Sequence, residues 1–234
     1  MSRPARQKKR RAPGRPFAAE APDTAARLFD AALTQFADKG YVAATTGDII
    51  RAAGVTKPVL YHHYENKAAL FRELIGGIYE ASQRAWASVI GAETTCAGRL
   101  RGMIRIAFEG SARDPRIPRL MLQTHYGPPV AELRAFMDGH TARRFAQVVR
   151  VMQGGLADDA LRGGDAPAHA LLFCCIMDQH INVLARFPNA AALLTPALAD
   201  ALVDAFLHGC GTGRRSTVLL PPSSLGTIFP ATIR

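Results

Sequence analysis

Apolar positions recur every three or four residues through most of the chain, and glycine and proline divide them into helix-length segments. Ala25, Leu28, Phe29, Ala32, Leu33 and Phe36 make one apolar face that starts after Asp23, a good N-cap. Lys39 and Gly40 supply the end of that helix. A short pattern over 48–53 stops at Gly54, Val55 follows, and Thr56 opens a second short helix, Lys57–His63. Asn66 can cap a fourth helix, whose face is marked by Leu70, Phe71, Leu74, Ile78 and Trp86 as far as residue 90. Further helices are predicted over 95–112, 115–126, 130–152, 168–187 and Pro196–His208. Gly127, Pro128 and Pro129 stop the second of these, and Gly154 ends the third. Neither strand alternation nor an internal repeat occurs, so the predicted fold class is all-α. The predicted organisation is a basic disordered arm (1–19), a three-helix unit (20–66), a larger helical domain (67–210) and a loose C-terminal tail (211–234).

Two short helices joined by a tight, glycine-containing turn are the helix-turn-helix arrangement, whose second helix is built to enter the DNA major groove. The run TTGDIIRAAGVTKPVLYHHYENKAAL at 45–70, preceded by LFDAALTQFADKGY at 28–41, resembles the N-terminal domain of the TetR family of bacterial transcriptional regulators in order, spacing and residue type. That resemblance implies an N-terminal DNA-binding domain, a larger ligand-binding and dimerisation domain, and an output that is repression by default.

The candidate DNA contacts follow from helix chemistry and from this resemblance. Thr45 and Thr56 stand where the two short helices begin, so each hydroxyl can cap its helix or bond a phosphate, beside amides that favour anions. Lys57, Pro58 and Val59 occupy the first turn of the second short helix, the part that faces base edges. Lys57 can donate to guanine or phosphate, Pro58 is tolerated because first-turn amides lack helical partners, and Val59 can meet a thymine methyl. Tyr61 and His63 match the family's LYxHF pattern, which implies that they look toward phosphates; the final aromatic here is Tyr64, expected to pack inward. His62 lies between them, within reach of a base or phosphate, and Lys67 matches a common phosphate-contacting position. Two departures bear on docking: Ile50 replaces the family's usual alanine at the crossing of the two short helices, and Gly47 is a poor helix former.

Charge is placed unevenly. Residues 1–16 carry seven basic side chains and no acid, whereas 17–72 carry six of each sign. The arm is therefore a source of DNA affinity through counterion release, with Arg10, Arg11 and Arg15 in RRAPGRP loosely resembling a minor-groove hook. The longest apolar run, 170–177, has eight residues and cannot span a bilayer, and no apolar segment follows the basic N-terminus as in a secretory signal. The expected location is the cytoplasm. There Cys96, Cys174, Cys175 and Cys210, which lack metal-ligand spacing, are expected to be free thiols.

The same resemblance implies a small-molecule effector held within the C-terminal helices. Candidate lining residues are Phe108, Met121, His125, Phe136, Phe145, Met152, Phe173, Met177 and His180, apolar walls with a few polar groups. A homodimer is expected, because two reading heads roughly 34–36 Å apart read a palindromic operator. Leu171, Cys175, Leu198, Leu202 and Phe206 on the last two helices would pair across the two-fold axis. No metal or cofactor is predicted. H-E-x-x-H, P-loop, G-x-S-x-G and dinucleotide motifs are missing, and Asp178 and His180 point to different helix faces, so an enzyme is disfavoured. The alternative is an architectural DNA-binding protein without an effector.

Overall fold

The computed structural model describes residues 21–184 and 190–208. Among them nine α-helices occur and no strand: α1 (Ala21–Ala43), α2 (Thr46–Ala53), α3 (Lys57–His63), α4 (Lys67–Ala92), α5 (Cys96–Arg113), α6 (Arg116–Tyr126), α7 (Arg134–Ala157), α8 (Ala166–Leu184) and α9 (Pro196–His208). None of these helices is long and apolar enough to cross a membrane. The all-α expectation holds, with shifts at several helix ends that have local causes.

α1 is already helical at Ala21, ahead of the expected start after Asp23. It breaks at Gly40 (φ 74°, ψ 168°), a left-handed position that glycine adopts without strain. α2 starts at Thr46, two residues early, with the Thr45 hydroxyl accepting the Asp48 amide at 3.1 Å. It stops at Gly54, which is left-handed at φ 62°. α8 starts at Ala166 because the Asp165 carboxylate accepts the Ala168 amide at 2.7 Å. Its expected extension to 187 lies outside the described residues.

The largest correction concerns α7, which does not end at Gly154 but runs on to Ala157. Gly155 is a site of close approach: a Cβ there would lie 2.6 Å from Cys96 Sγ and 3.0 Å from Leu161 Cδ1. The glycine lets α5 and the loop after α7 press against the helix, so tertiary contact offsets its poor helix propensity.

Two apolar clusters organise the chain. The first joins Leu28, Ala32 and Phe36 of α1 to Ile49 of α2, Leu60 of α3, and Leu70, Phe71, Leu74 and Ile75 of α4, with Leu120 of α6. Ile50, the departure from alanine, sits half-buried at its edge with Val55. The second joins Trp86 at the far end of α4 to Leu100, Met103, Ile104 and Phe108 of α5, Val148 and Met152 of α7, Phe173 and Met177 of α8, and Val203 of α9. Burying each such large side chain contributes roughly 1.5–3 kcal/mol. Because α4 belongs to both clusters, one continuous helix ties the helix-turn-helix to the rest.

Candidate nucleic-acid interface and interior cluster

α3 is anchored by one face and free on the other. Leu60 is fully buried and Tyr64 is 5% exposed, packed with its ring centroid 6.5 Å from that of Phe29. On the outward face stand Thr56, Lys57, Pro58, Tyr61 and His62, with Tyr61 42% exposed and Val59 and His63 half-buried. The Lys57 ammonium lies 5.8 Å from the Tyr61 ring centroid, and the His62 and His63 rings are 5.6 Å apart. The threonines differ. Thr45 is occupied as a cap, whereas Thr56 stands at the start of α3 in extended backbone with no side-chain cap bond. Its hydroxyl is thus uncommitted to the helix.

Asp48, one turn into α2, receives Lys39 Nζ at 3.0 Å and Arg51 Nη1 at 3.1 Å. The hydrogen bond from Lys39 leads in holding its carboxyl down to about 2, with Thr45 and Arg51 adding to it. Lys67 has a partner the sequence did not suggest. Its ammonium donates to the carbonyls of Tyr41 (2.9 Å), Ala44 (3.1 Å) and Val42 (3.4 Å) and sits 4.4 Å from the Tyr41 ring centroid. Its charge satisfies the carbonyls after the Gly40 break instead of pointing outward. Arg10, Arg11 and Arg15 lie outside the described residues.

Most of the nine residues expected to line a ligand site divide between the two apolar clusters. Phe108, Phe145, Met152, Phe173 and Met177 are buried in the second cluster, while Met121 and Phe136 pack against the first. His180 bonds through Nδ1 to the Ile176 carbonyl at 2.6 Å, an ordinary helix back-bond. His125 instead shares a 2.8 Å hydrogen bond through Nε2 with the Tyr79 hydroxyl.

That bond marks a polar cluster in the seam between α4 and α7. The His140 ring stacks on Tyr79 (centroids 4.9 Å apart, planes 15° apart) and meets the edge of Phe136 at 4.5 Å. Gln147 Nε2 donates to the Gln83 carbonyl at 3.2 Å. Arg144 forms a two-pronged ion pair with Asp178 of α8 (2.7 and 3.1 Å) and lies 5.0 Å from the Trp86 ring centroid. Burial pushes the Tyr79 hydroxyl up to about 12 and holds His125 and His140 below the ordinary imidazole value, aided by Arg144 and Arg143 respectively. Two buried atoms of this cluster, His140 Nδ1 and Gln83 Nε2, have no hydrogen-bond partner. Of this cluster, sequence reasoning named His125 and Phe136 and missed Tyr79, Gln83, His140, Arg144 and Gln147. The available signal was polar side chains at core spacing: Tyr79, Gln83 and Trp86 on one face of α4, and His140, Arg144 and Gln147 on one face of α7, each at i, i+4, i+7.

A polar seam also joins α6 to the helix-turn-helix. Arg116 Nη1 reaches Asp30 (2.7 Å) and Thr34 (2.9 Å) of α1, while Nη2 holds Asp114 at 2.7 Å. The Tyr41 hydroxyl bonds Glu132 at 2.5 Å, and Arg72 donates to the Glu132 carbonyl at 2.7 Å.

The residues expected to meet a second copy divide. Leu171, Leu198, Leu202 and Phe206 are half-buried against the chain's own second cluster, and Arg101 and Arg105 of α5 pair with Asp204 and Asp200 of α9. Cys175 is exposed, beside Leu172 at 50%. Cys96 and Cys174 are buried free thiols, the latter pushed up to about 12 by burial, and Cys210 lies outside the described residues.

The comparisons agree with this geometry. A family model described as bacterial regulatory proteins, tetR family, matches residues 28–74. Over 185 residues, 75% of this chain and 86% of the relative, the sequence is 32% identical to the "Probable HTH-type transcriptional regulator ArpR" of Pseudomonas putida. It is 28% identical, over the same shares, to the HTH-type transcriptional regulator TtgR, also of Pseudomonas putida. The crystal structure of FadR from Bacillus subtilis, in complex with stearoyl-CoA, superposes on 80% of this chain and 99% of its own with a TM-score of 0.64 at 19% identity, a likeness of fold alone.

Proposed function

This chain belongs to the TetR family of DNA-binding transcriptional regulators, and from that premise we propose that it represses by occupying an operator as a homodimer and leaves when a small molecule binds within the C-terminal helices. The observation that carries the proposal is the two-faced α3. Its inner face is locked by Leu60 and Tyr64, and its outer face presents Thr56, Lys57, Pro58, Tyr61 and His62 together. Residues 20–66 form the reading unit and 67–210 the effector and dimer unit, with α4 shared between them. Thr56 and Tyr61 supply hydroxyls for phosphates, Lys57 and Val59 face base edges, and His62 and His63 stand beside them. Arg10, Arg11 and Arg15 supply salt-dependent affinity from the arm. The working location is the cytoplasm, where DNA is reached.

Support for release by an effector is the polar seam, which touches α6, the helix clasped to α1 through Arg116. A ligand that moves α6 moves the reading head, and a coupling of about 1–3 kcal/mol alters operator affinity 5- to 150-fold. The experiment is a genomic footprint of the purified full chain, followed by binding to the recovered site. A palindromic site bound by two copies, and lost with Lys57→Ala plus Tyr61→Phe, is the expected result. Binding without sequence preference, insensitive to those substitutions, would establish the architectural alternative instead.

A further inference from the structure

We infer that Lys67 is a positioning residue of the DNA interface: it pins the corner between α1 and α2, so that the start of α2 stays in register with the outer face of α3, and it gives no proton to a phosphate. This rests on the reading of α3 as the operator-facing helix and adds a residue that acts from behind it.

The corner takes its donors from outside. A helix leaves its last four carbonyls without helical partners, and α1 ends at Ala43, just past the Gly40 break. The amides that follow are engaged elsewhere. Ala44 donates to the Gly40 carbonyl at 3.2 Å, Asp48 to the Thr45 hydroxyl at 3.1 Å and Ile49 to the Thr45 carbonyl at 3.2 Å. An ammonium carries three protons. That of Lys67 meets three carbonyls, of Tyr41, Ala44 and Val42, between 2.9 and 3.4 Å away. The Tyr41 ring covers a further side at 4.4 Å, with Phe71 edge-on to that ring at 4.9 Å and Glu132 on its hydroxyl. No proton of Lys67 is left over for a phosphate. Drawing the ammonium outward would strand the part-buried Tyr41 and Ala44 carbonyls.

The place of this tie gives it a bearing on DNA. α2 has 8 residues and is joined to α3 through Gly54, Val55 and Thr56, so its start is the end away from that turn. Such a helix spans about 12 Å, and a pivot of about 10° at the turn moves its start by about 2 Å, more than a hydrogen bond tolerates. Lys67 acts at this far end, because the Ala44 carbonyl immediately precedes Thr45, the cap of α2. Its own backbone is fixed: Asn66 accepts the Ala69 amide at 2.8 Å, and Ala68 and Leu70 are buried. Lys67 also follows closely on Tyr64, the buried residue that ends α3. It therefore ties the start of α2 to the end of α3, whereas the turn ties the two opposite ends. Lys39 and Asp48 also link α1 to α2, but through an exposed ion pair that salt screens. Thr45 and Gly47, at the start that Lys67 holds, are exposed.

The full-length protein and its footprinted operator fragment supply the test. Lysine acetylation by acetic anhydride, read by mass spectrometry on the unaltered protein, requires no variant to fold. Lys57 is expected to be modified in the free protein and shielded by the operator, and Lys67 to resist modification in both states. Lys67 modified when free and shielded by DNA overturns the inference. Operator affinity is then followed by fluorescence anisotropy across a salt series, with Lys57→Met as the reference. Lys67→Met is expected to weaken binding about tenfold, the effect of one lost charge-assisted contact, with the log–log slope unchanged. Lys57→Met lowers that slope by about 0.9 for each copy bound. A slope lowered as much by Lys67→Met as by Lys57→Met overturns the inference, and so does an unchanged affinity. Amide exchange reads the register of α2. The operator is expected to slow exchange over 46–48 and 57–61 in the unaltered protein, and over 57–61 alone in Lys67→Met; equal protection of 46–48 in the variant overturns the inference. Lys57 left unshielded, with the slope of Lys57→Met unchanged, sinks the reading of α3 instead. Lys67 shielded beside a shielded Lys57 sinks the positioning role and spares that reading.

Discussion

At the scale of single residues, neighbours decide which groups can serve DNA. Tyr61 and Tyr64 are three apart on or beside one short helix, yet one is exposed and the other buried. Tyr61→Phe is expected to weaken every operator by about tenfold, the value of a hydrogen bond to a charged partner, with base preference unchanged in a binding-selection assay. Leu60→Ala removes the anchor and should cost about 2–5 kcal/mol of stability in denaturant titration. Asp48 gives a pH prediction. Its folded value, about 2, lies below the ordinary carboxylate value of about 3.9. Its contribution is therefore fully present above that ordinary value and lost as pH falls toward 2. Carboxyl NMR should show a midpoint near 2 that rises in Lys39→Ala, since the bond from Lys39 is the main cause.

At the scale of elements, α6 is the connector. Its start is clasped to α1 by Arg116 through Asp30 and Thr34, and its end is bonded into the polar seam through His125 and Tyr79. Arg116→Ala should quicken amide hydrogen exchange in 24–40 and 116–126 by a few-fold while α8 and α9 keep their rates; equal change everywhere would mean general destabilisation instead. Most elements were legible in the sequence. α3 matches its expected bounds and α9 its expected start, because Thr56, Tyr64 and Pro196 act within a turn of the residues they terminate. α7 was misjudged at Gly154, because Cys96 and Leu161, which make Gly155 a close approach, are distant in sequence or beyond the expected end. The interior site was the least legible. Phe108, Phe173 and Met177 fit a ligand wall by type, yet fill the core. His140 and Gln83 gain interest only because no partner reaches them.

At the scale of the whole molecule, the proposed operator binding gives two predictions, one on pairing and one on the arm. Leu172 on α8 and Leu193, just before α9, are 50% and 58% exposed, an apolar area suited to a second copy. Leu172→Arg is expected to yield a monomer by light scattering and to weaken operator binding more than tenfold, since each head alone reads only a half-site. Deleting residues 2–16 should flatten the salt dependence, each lost phosphate contact lowering the log–log slope by about 0.9. An unchanged slope would show that the arm does not meet DNA.

The helix count, the helix-turn-helix, its outward residues and the basic arm were fixed by the chain alone, because helical periodicity, caps and turn residues act over a few positions. Tertiary structure alone decided that Lys67 turns to the carbonyls after Gly40, that Leu198 and Leu202 lie half-buried against the second cluster, and that Tyr79, His125, His140 and Arg144 meet. Those outcomes depend on how α4, α6, α7, α8 and α9 cross. Crossing geometry is set by the summed packing of residues far apart in sequence, which no local pattern encodes.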